Sequence, residues 1–183
     1  IGGSLAAALK RAGVVDEIVG LGRRRETLEQ ARSLGLIDVI ADSPAQVGAA
    51  DVIVLATPVA QMETVLAEIA PHLGGNTIVT DAGSTKADVI AAASSILGAS
   101  FPRFVAGHPI AGAESSGPQA AHADLFRGRN VVLCPQIETD PAAVELVGAL
   151  WLSTGAQVVR MEATHHDRIF AAVLDKGVHV FDV

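Results

Sequence analysis

Four short stretches of this chain carry residue types that could do chemistry. The chain opens Ile1-Gly2-Gly3-Ser4 and runs directly into an alanine-rich stretch. Glycines at a helix start let its first turn approach a neighbouring strand, and the unpaired N–H groups there attract a pyrophosphate. Further on, Val19-Gly20-Leu21-Gly22-Arg23-Arg24-Arg25 ends a short apolar run, at roughly the 20-residue spacing where a dinucleotide fold meets the adenosine ribose. A carboxylate there would bind the ribose hydroxyls. Gly22, Arg23 and Arg24 instead leave room and positive charge for a 2′-phosphate, so Gly2, Gly3, Gly22, Arg23 and Arg24 are candidate contacts to NAD or NADP, with NADP tolerated. A helix that happens to begin Gly-Gly-Ser, followed by a solvated basic turn, is the plain alternative.

Three further segments each follow a strand candidate: Thr57-Pro58-Val59, Asp81-Ala82-Gly83-Ser84-Thr85-Lys86, and Gly107-His108-Pro109 running on to Glu114 and Gly117. In an open α/β sheet the carboxyl ends of the strands line the ligand crevice, so the three are expected to converge. The imidazole of His108 is the one group among them whose ordinary pKa, near 6.5, suits proton transfer at neutral pH. Taken alone, a single histidine before proline is more often a packed side chain. Ser84 has a second reading as the cap of the following helix. Asp81 reads as a strand-end cap, and Lys86 as its partner or a partner of a backbone carbonyl.

These positions depend on an alternation of β-branched runs with Ala/Leu-rich stretches. Strands are expected at Glu17–Leu21, Asp51–Thr57, Thr77–Asp81, Asn130–Cys134 and Gln157–Met161, with shorter ones at Val39–Ile40 and Phe104–Ala106. Most lack polar/apolar alternation, as strands buried on both faces do. Helices are expected at Ser4–Ala12, Arg25–Leu34, Pro44–Ala49, Val59–His72, Thr85–Leu97 and Pro141–Thr154. Gly13 and Gly35 sit where helix-ending glycines belong, and Ser43-Pro44 and Asp140-Pro141 pair a cap with a first-turn proline. The fold class is therefore α/β: a Rossmann-like, doubly wound, mostly parallel sheet over residues 1–160. A helical stretch from Arg168 to Leu174 begins a different pattern, and residues 161–183 read as the start of a second domain.

Composition narrows the function. Half of the 183 residues are apolar and 18% are charged, which excludes intrinsic disorder. The longest runs without Asp, Glu, Lys or Arg, Val89–Pro102 and Leu146–Val159, are 14 residues, short of the roughly 20 that a spanning helix needs. A net charge of −7 argues against nucleic acid or an anionic membrane as partner. The single cysteine, Cys134, allows no internal disulfide and no cysteine zinc site, which suits a reducing cytoplasm. It reads as a small buried side chain.

The ordered series Thr57-Pro58-Val59, Asp81-x-Gly83-Ser84-x-Lys86, Gly107-His108-Pro109-Ile110-Ala111-Gly112-x-Glu114-x-Ser116-Gly117, Leu125-Phe126-x-Gly128 and Met161-x4-His166-Asp167 resembles the prephenate/arogenate dehydrogenase family of tyrosine biosynthesis. That resemblance spans residues 1 to about 173. It implies NAD(P)-dependent oxidative decarboxylation of a small cyclohexadienol, prephenate or arogenate. Hydride leaves the hydroxyl-bearing carbon and loss of CO2 yields an aromatic ring, so orientation and the management of one proton are the enzyme's main tasks. By resemblance His108 is the catalytic base, Ser84 a catalytic partner near nicotinamide and substrate, Thr57, Pro58 and Val59 lie along the cofactor, and Glu114 sits at the substrate pocket. A cytoplasmic homodimer is implied for the complete protein.

Two departures are visible against that family. The strand and first two glycines that precede Gly2 are missing, so the first strand is expected to be absent from the sheet centre, leaving two unpaired edges and an isolated chain prone to unfold. After Phe170-Ala171-Ala172-Val173 the family's polar segment gives way to Leu174-Asp175-Lys176-Gly177-Val178-His179, out of register. The helical C-terminal domain is expected to be truncated, and with it the arginine that would pair with the substrate carboxylate. The alternatives are a catalytically inactive nucleotide-binding fragment and a dehydrogenase acting on β-hydroxy acids, which would be expected to carry a catalytic lysine on a later helix.

Overall fold

A computed structural model describes residues 1–112 and 117–175. Six helices and eight strands follow one another as α1 (Gly2–Ala12), β1 (Val19–Gly20), α2 (Arg25–Ser33), β2 (Val39–Ile40), β3 (Val52–Leu55), α3 (Val59–Ile69), β4 (Ile78–Asp81), α4 (Ala87–Leu97), β5 (Phe104–Val105), β6 (Gly107–Pro109), β7 (Asn130–Leu133), α5 (Pro141–Ser153), β8 (Gln157–Arg160) and α6 (Ala163–Asp175). The expected strands and helices appear, with the local signals where the chain chemistry puts them. Gly13 ends α1 and Gly35 follows α2 in left-handed backbone, at φ 66° and 71°. The Asp140 carboxylate accepts the Ala142 N–H at 2.9 Å to open α5. Ser43 and Gln46 form a reciprocal capping box, although the turn they open, Pro44–Val47, is a single 3-10 turn instead of the expected helix.

Strand pairing is parallel in β1–β2, β3–β4–β5 and β7–β8. β4 is buried at all four positions, and its alternate side chains enter opposite layers: Val79 joins Phe104, Leu55 and the α3/α4 face, whereas Ile78 joins Val105 and the α1/α5 face. Helical spacing supplies those faces. Met62, Leu66 and Ile69 form the stripe of α3, and Val89, Ala93 and Leu97 that of α4. On the other side Leu5, Ala8 and Leu9 of α1 meet Val144, Val147 and Trp151 of α5, where the Trp151 ring meets Phe126 edge-on with centroids 5.2 Å apart. A sheet covered on both faces by helices is the doubly wound arrangement expected from the uninterrupted apolar strands.

One element departs from the sequence reading in a way that matters for the site. The segment Gly107–Pro109 was expected as a loop after a strand. It forms β6, antiparallel to β7, with Gly107 opposite Leu133, His108 opposite Val132 and Pro109 opposite Val131. The chain from Phe104 to Pro109 stays extended, and its two halves bond to different partners: β5 to β4, β6 to β7. Gly107 makes the crossover possible, since a Cβ there would stand 2.7 Å from the Asp81 carbonyl oxygen. His108 is thereby fixed by a backbone ladder on strand β6.

Candidate active site

The carboxyl ends of β3 and β4, the strand β6 and the first turn of α1 surround a cavity of about 450 Å³, within the usual range for small-molecule sites. Gly3 and Ser4 of α1, Thr57-Pro58-Val59 after β3, Ala82-Gly83-Ser84 after β4, and His108 of β6 all contribute to its wall. Six residues singled out from sequence, Gly3, Thr57, Pro58, Val59, Ser84 and His108, are thus neighbours of one space. Gly2 lies just behind it, packed so closely on the end of β3 that an added Cβ would meet the Ala56 Cβ at 3.0 Å. Gly22, Arg23 and Arg24 form the exposed turn between β1 and α2 and do not line this cavity. Of the three arginines, Arg25 is engaged by Asp42 and by Glu29 (3.2 Å). Glu114 and His179 lie outside the described residues.

The α1 entrance is open to an anion. No side chain among the described residues caps it and its first turn holds no acidic residue, so the first-turn N–H groups keep their partial positive charge. Beside it, Thr57 Oγ1 is the one buried side-chain polar atom among the described residues with no hydrogen-bond partner. A buried hydroxyl left unpaired costs about 1–3 kcal/mol, which a polar ligand in the cavity would recover.

Behind the cavity wall a buried ionic knot locks the loop after β4. The Lys86 ammonium is wholly buried, pairs with the equally buried Asp81, and donates to the Gly107 carbonyl at 2.6 Å. Asp81 also accepts the N–H groups of Gly83 (2.8 Å) and Gly107 (3.0 Å). One carboxylate therefore ties the β4 turn to the start of β6, and fixes Ser84 and His108 relative to each other. Ser84 is exposed on the cavity wall. It does not cap the following helix: α4 begins at Ala87, and its first N–H groups, from Lys86 and Ala87, are taken by Asp167 of α6, each at 2.9 Å. The Cys134 thiol is fully buried, and burial pushes it up to about 11, which keeps it protonated and inert.

His108 is buried, and its pKa falls to about 3, first because burial disfavours the imidazolium and then because His166, whenever it is protonated, and Lys86 repel a second positive charge, with Asp167 opposing them. It is thus a neutral imidazole at any physiological pH, and a weaker base than a solvated histidine. Its Nδ1 lies 2.8 Å from His166 Nε2, and Phe170 meets its ring edge-on with centroids 5.0 Å apart. His166, Asp167 and Phe170 all stand in stretches that resemble the family, but none of the three has a role legible in the sequence. The available signal was the spacing of His166 and Phe170, four apart on one helix face.

The model of the prephenate dehydrogenase nucleotide-binding domain matches residues 5–160. The chain belongs to the prephenate dehydrogenase family. Prephenate dehydrogenase of Bacillus subtilis is 38% identical over 176 residues, covering 94% of this chain and 47% of that protein. Cyclohexadienyl dehydrogenase of Zymomonas mobilis is 35% identical, covering 92% of this chain and 58% of its own length. A crystal structure of prephenate dehydrogenase from Aquifex aeolicus, in complex with hydroxyphenyl propionate and NAD+, superposes with a TM-score of 0.86 at 33% identity, over 97% of this chain and 65% of that one. The resemblance carried by the Gly107–Gly117 motif is borne out, and this chain holds the family's nucleotide-binding domain. It spans about half the length of the curated relatives it matches. No described helix is long and apolar enough to cross a membrane.

Proposed function

We propose that this domain binds NAD(P)+ across the first turn of α1 and the Thr57-Pro58-Val59 and Gly83-Ser84 turns. In the complete protein it would act in the oxidative decarboxylation of prephenate or arogenate. The observation that carries the reading is the seating of a neutral, proton-accepting His108 on the wall of the same cavity that receives an uncapped helix N-terminus and an unpartnered Thr57 hydroxyl. Those groups fit a dinucleotide: main-chain N–H groups for the pyrophosphate and the threonine oxygen as a polar contact. Nicotinamide, when bound, supplies the hydride acceptor.

The chain's own residues then have defined tasks. His108 accepts the proton of the substrate hydroxyl as that carbon becomes a carbonyl, and returns it to the oxygen once loss of CO2 has made the ring aromatic. An acid–base group in this position contributes roughly 100- to 10,000-fold. Ser84 offers a hydroxyl beside it on the same wall. The Asp81–Lys86 pair touches neither reactant and holds both residues in place. Exposed Arg23 and Arg24, with no carboxylate closing β1, support tolerance of a 2′-phosphate. The α6 helix is the entry to a second, helical domain, which relatives of twice this length have room for, and which in this reading completes the substrate pocket and the homodimer.

The decisive experiment follows reduced-nicotinamide absorbance in the complete protein with prephenate or arogenate, and with NAD+ or NADP+. Turnover that falls at least about a hundredfold in His108→Asn, while the cofactor Kd moves by no more than a few fold, supports the reading. Loss of cofactor binding together with turnover would make His108 a structural residue. Cofactor binding without turnover on either substrate would leave a nucleotide-binding module and overturn the assigned reaction.

A further inference from the structure

Behind His108 stands a chain of polar atoms that the proposed reaction has not yet used. His108 Nδ1 faces His166 Nε2 at 2.8 Å, and His166 Nδ1 faces Asp167 Oδ1 at 2.7 Å. Asp167 is itself held by two main-chain donors, the N–H groups of Lys86 and Ala87 at the head of α4. His166 is fully buried, whereas the Asp167 side chain is 27% exposed. Phe170, one helical turn beyond His166, packs on both imidazoles, with centroids 5.0 Å from His108 and 4.5 Å from His166.

Hydrogen-bond valence settles the tautomers in series. An ionised carboxylate only accepts, so His166 must carry its proton on Nδ1. A neutral His166 then presents a lone pair at Nε2, and the short contact is satisfied only if His108 donates from Nδ1. The lone pair of His108 is left on Nε2, the ring nitrogen that makes no hydrogen bond to the described residues. Burial keeps His166 neutral by lowering its pKa, as it does for His108. The charged groups facing the pair are Lys86 at the head of α4, Asp81 at the end of β4 and Asp167 on α6, so both acids and the one cation belong to the same cluster.

We infer that His166 and Asp167 are positioning residues that fix His108 as an Nε2 base and share the proton it takes. The inference rests on the reading of His108 as the proton acceptor. When the substrate O–H bond breaks and an N–H bond forms at His108 Nε2, the Nδ1 proton of His108 moves to His166 Nε2. The positive charge then sits on His166, against the Asp167 carboxylate. The reverse shift moves the proton on His166 Nε2 back to His108 Nδ1 and releases the proton on His108 Nε2 to the product oxygen, so no proton is gained or lost in the cycle. A single buried imidazole beside Lys86 is a poor home for a cation, and the relay moves that charge next to a carboxylate instead.

Ring-nitrogen NMR of nitrogen-15 histidine-labelled protein tests this without cofactor or turnover. The expected result is Nδ1–H on both His108 and His166 in the wild type. Asp167→Asn keeps a carbonyl to cap α4 but removes the charge. It should mix the two tautomers, lower the titration midpoint of His166, and cut kcat of the complete enzyme by about a hundredfold with little change in KM. His166→Gln cannot accept and carry a proton, and should lower kcat similarly while His108 loses its single tautomer. A wild-type His108 protonated on Nε2, or an Asp167→Asn protein with unchanged tautomers and titration, would overturn the relay. Tautomers as inferred, with full turnover in His108→Asn, would sink the assigned reaction and leave the hydrogen-bond chain standing.

Discussion

The Lys86 ammonium and the Asp81 carboxylate meet in complete burial, and between them they hold three main-chain groups: the Gly107 carbonyl and the N–H groups of Gly83 and Gly107. Burial pushes the carboxyl up and the ammonium down, each against the attraction of its partner. Removing one charge leaves the other buried without compensation, at a cost of about 3–5 kcal/mol. Lys86→Met is therefore expected to lower the unfolding free energy by that amount, read as a lower urea midpoint at an unchanged slope. A loss under about 1 kcal/mol, within the range of an exposed pair, would contradict a structural role for the knot.

The depressed pKa of His108 has a consequence for stability as a function of pH. The folded chain resists protonation down to about 3, whereas an unfolded histidine takes its proton near 6.5. The unfolded state therefore binds more protons throughout that window, so stability rises with pH across it and falls as acid is added. His166 shifts in the same direction. Denaturation at about pH 5 should need less urea than at about pH 7, and His108→Asn should flatten that slope. A pH-independent midpoint in the wild type would show that both rings are solvated.

Gly107 and Gly148 should respond oppositely to alanine. A Cβ on Gly107 would press on the Asp81 carbonyl oxygen at 2.7 Å, a backbone atom that cannot swing away, whereas one on Gly148, within α5, meets nothing within 4 Å. Gly107→Ala is expected to cost about 1–3 kcal/mol through overpacking. Gly148→Ala should add about 0.5–1 kcal/mol from helix propensity. Thermal melts of the two variants check both signs.

Thr57 separates ligand binding from folding. Its buried hydroxyl has no partner, so Thr57→Val should leave stability unchanged or slightly raised in the absence of nucleotide. The same change should weaken NAD+ by up to about tenfold, the worth of one hydrogen bond. Calorimetric titration alongside a melt resolves the two. A destabilised variant that binds NAD+ normally would place the hydroxyl in the fold instead of the site.

Short-range chemistry made much of this legible in advance. Apolar runs without alternation gave β4 and β7, Asp140-Pro141 gave the start of α5, Gly13 the end of α1, and the Asp81–Lys86 spacing gave the pinned turn, because each signal acts within a few residues of itself. The motif around His108 gave the family. Its strand did not show: Gly107–Pro109 holds a glycine and a proline and has no pattern of its own, and it becomes extended only by bonding to β7, more than 20 residues later. The same holds for the helix head, which the second reading of Ser84 assigned to its hydroxyl. Asp167 reaches it from 81 residues away, and its two oxygens satisfy two N–H groups at once. Sequence alone determined the strands, the helices and the candidate site residues, since composition, spacing and capping are local. Tertiary structure decided which nitrogen of His108 is engaged inside the fold, because Nδ1 meets His166 Nε2, and that partner, 58 residues away, arrives only when α6 packs.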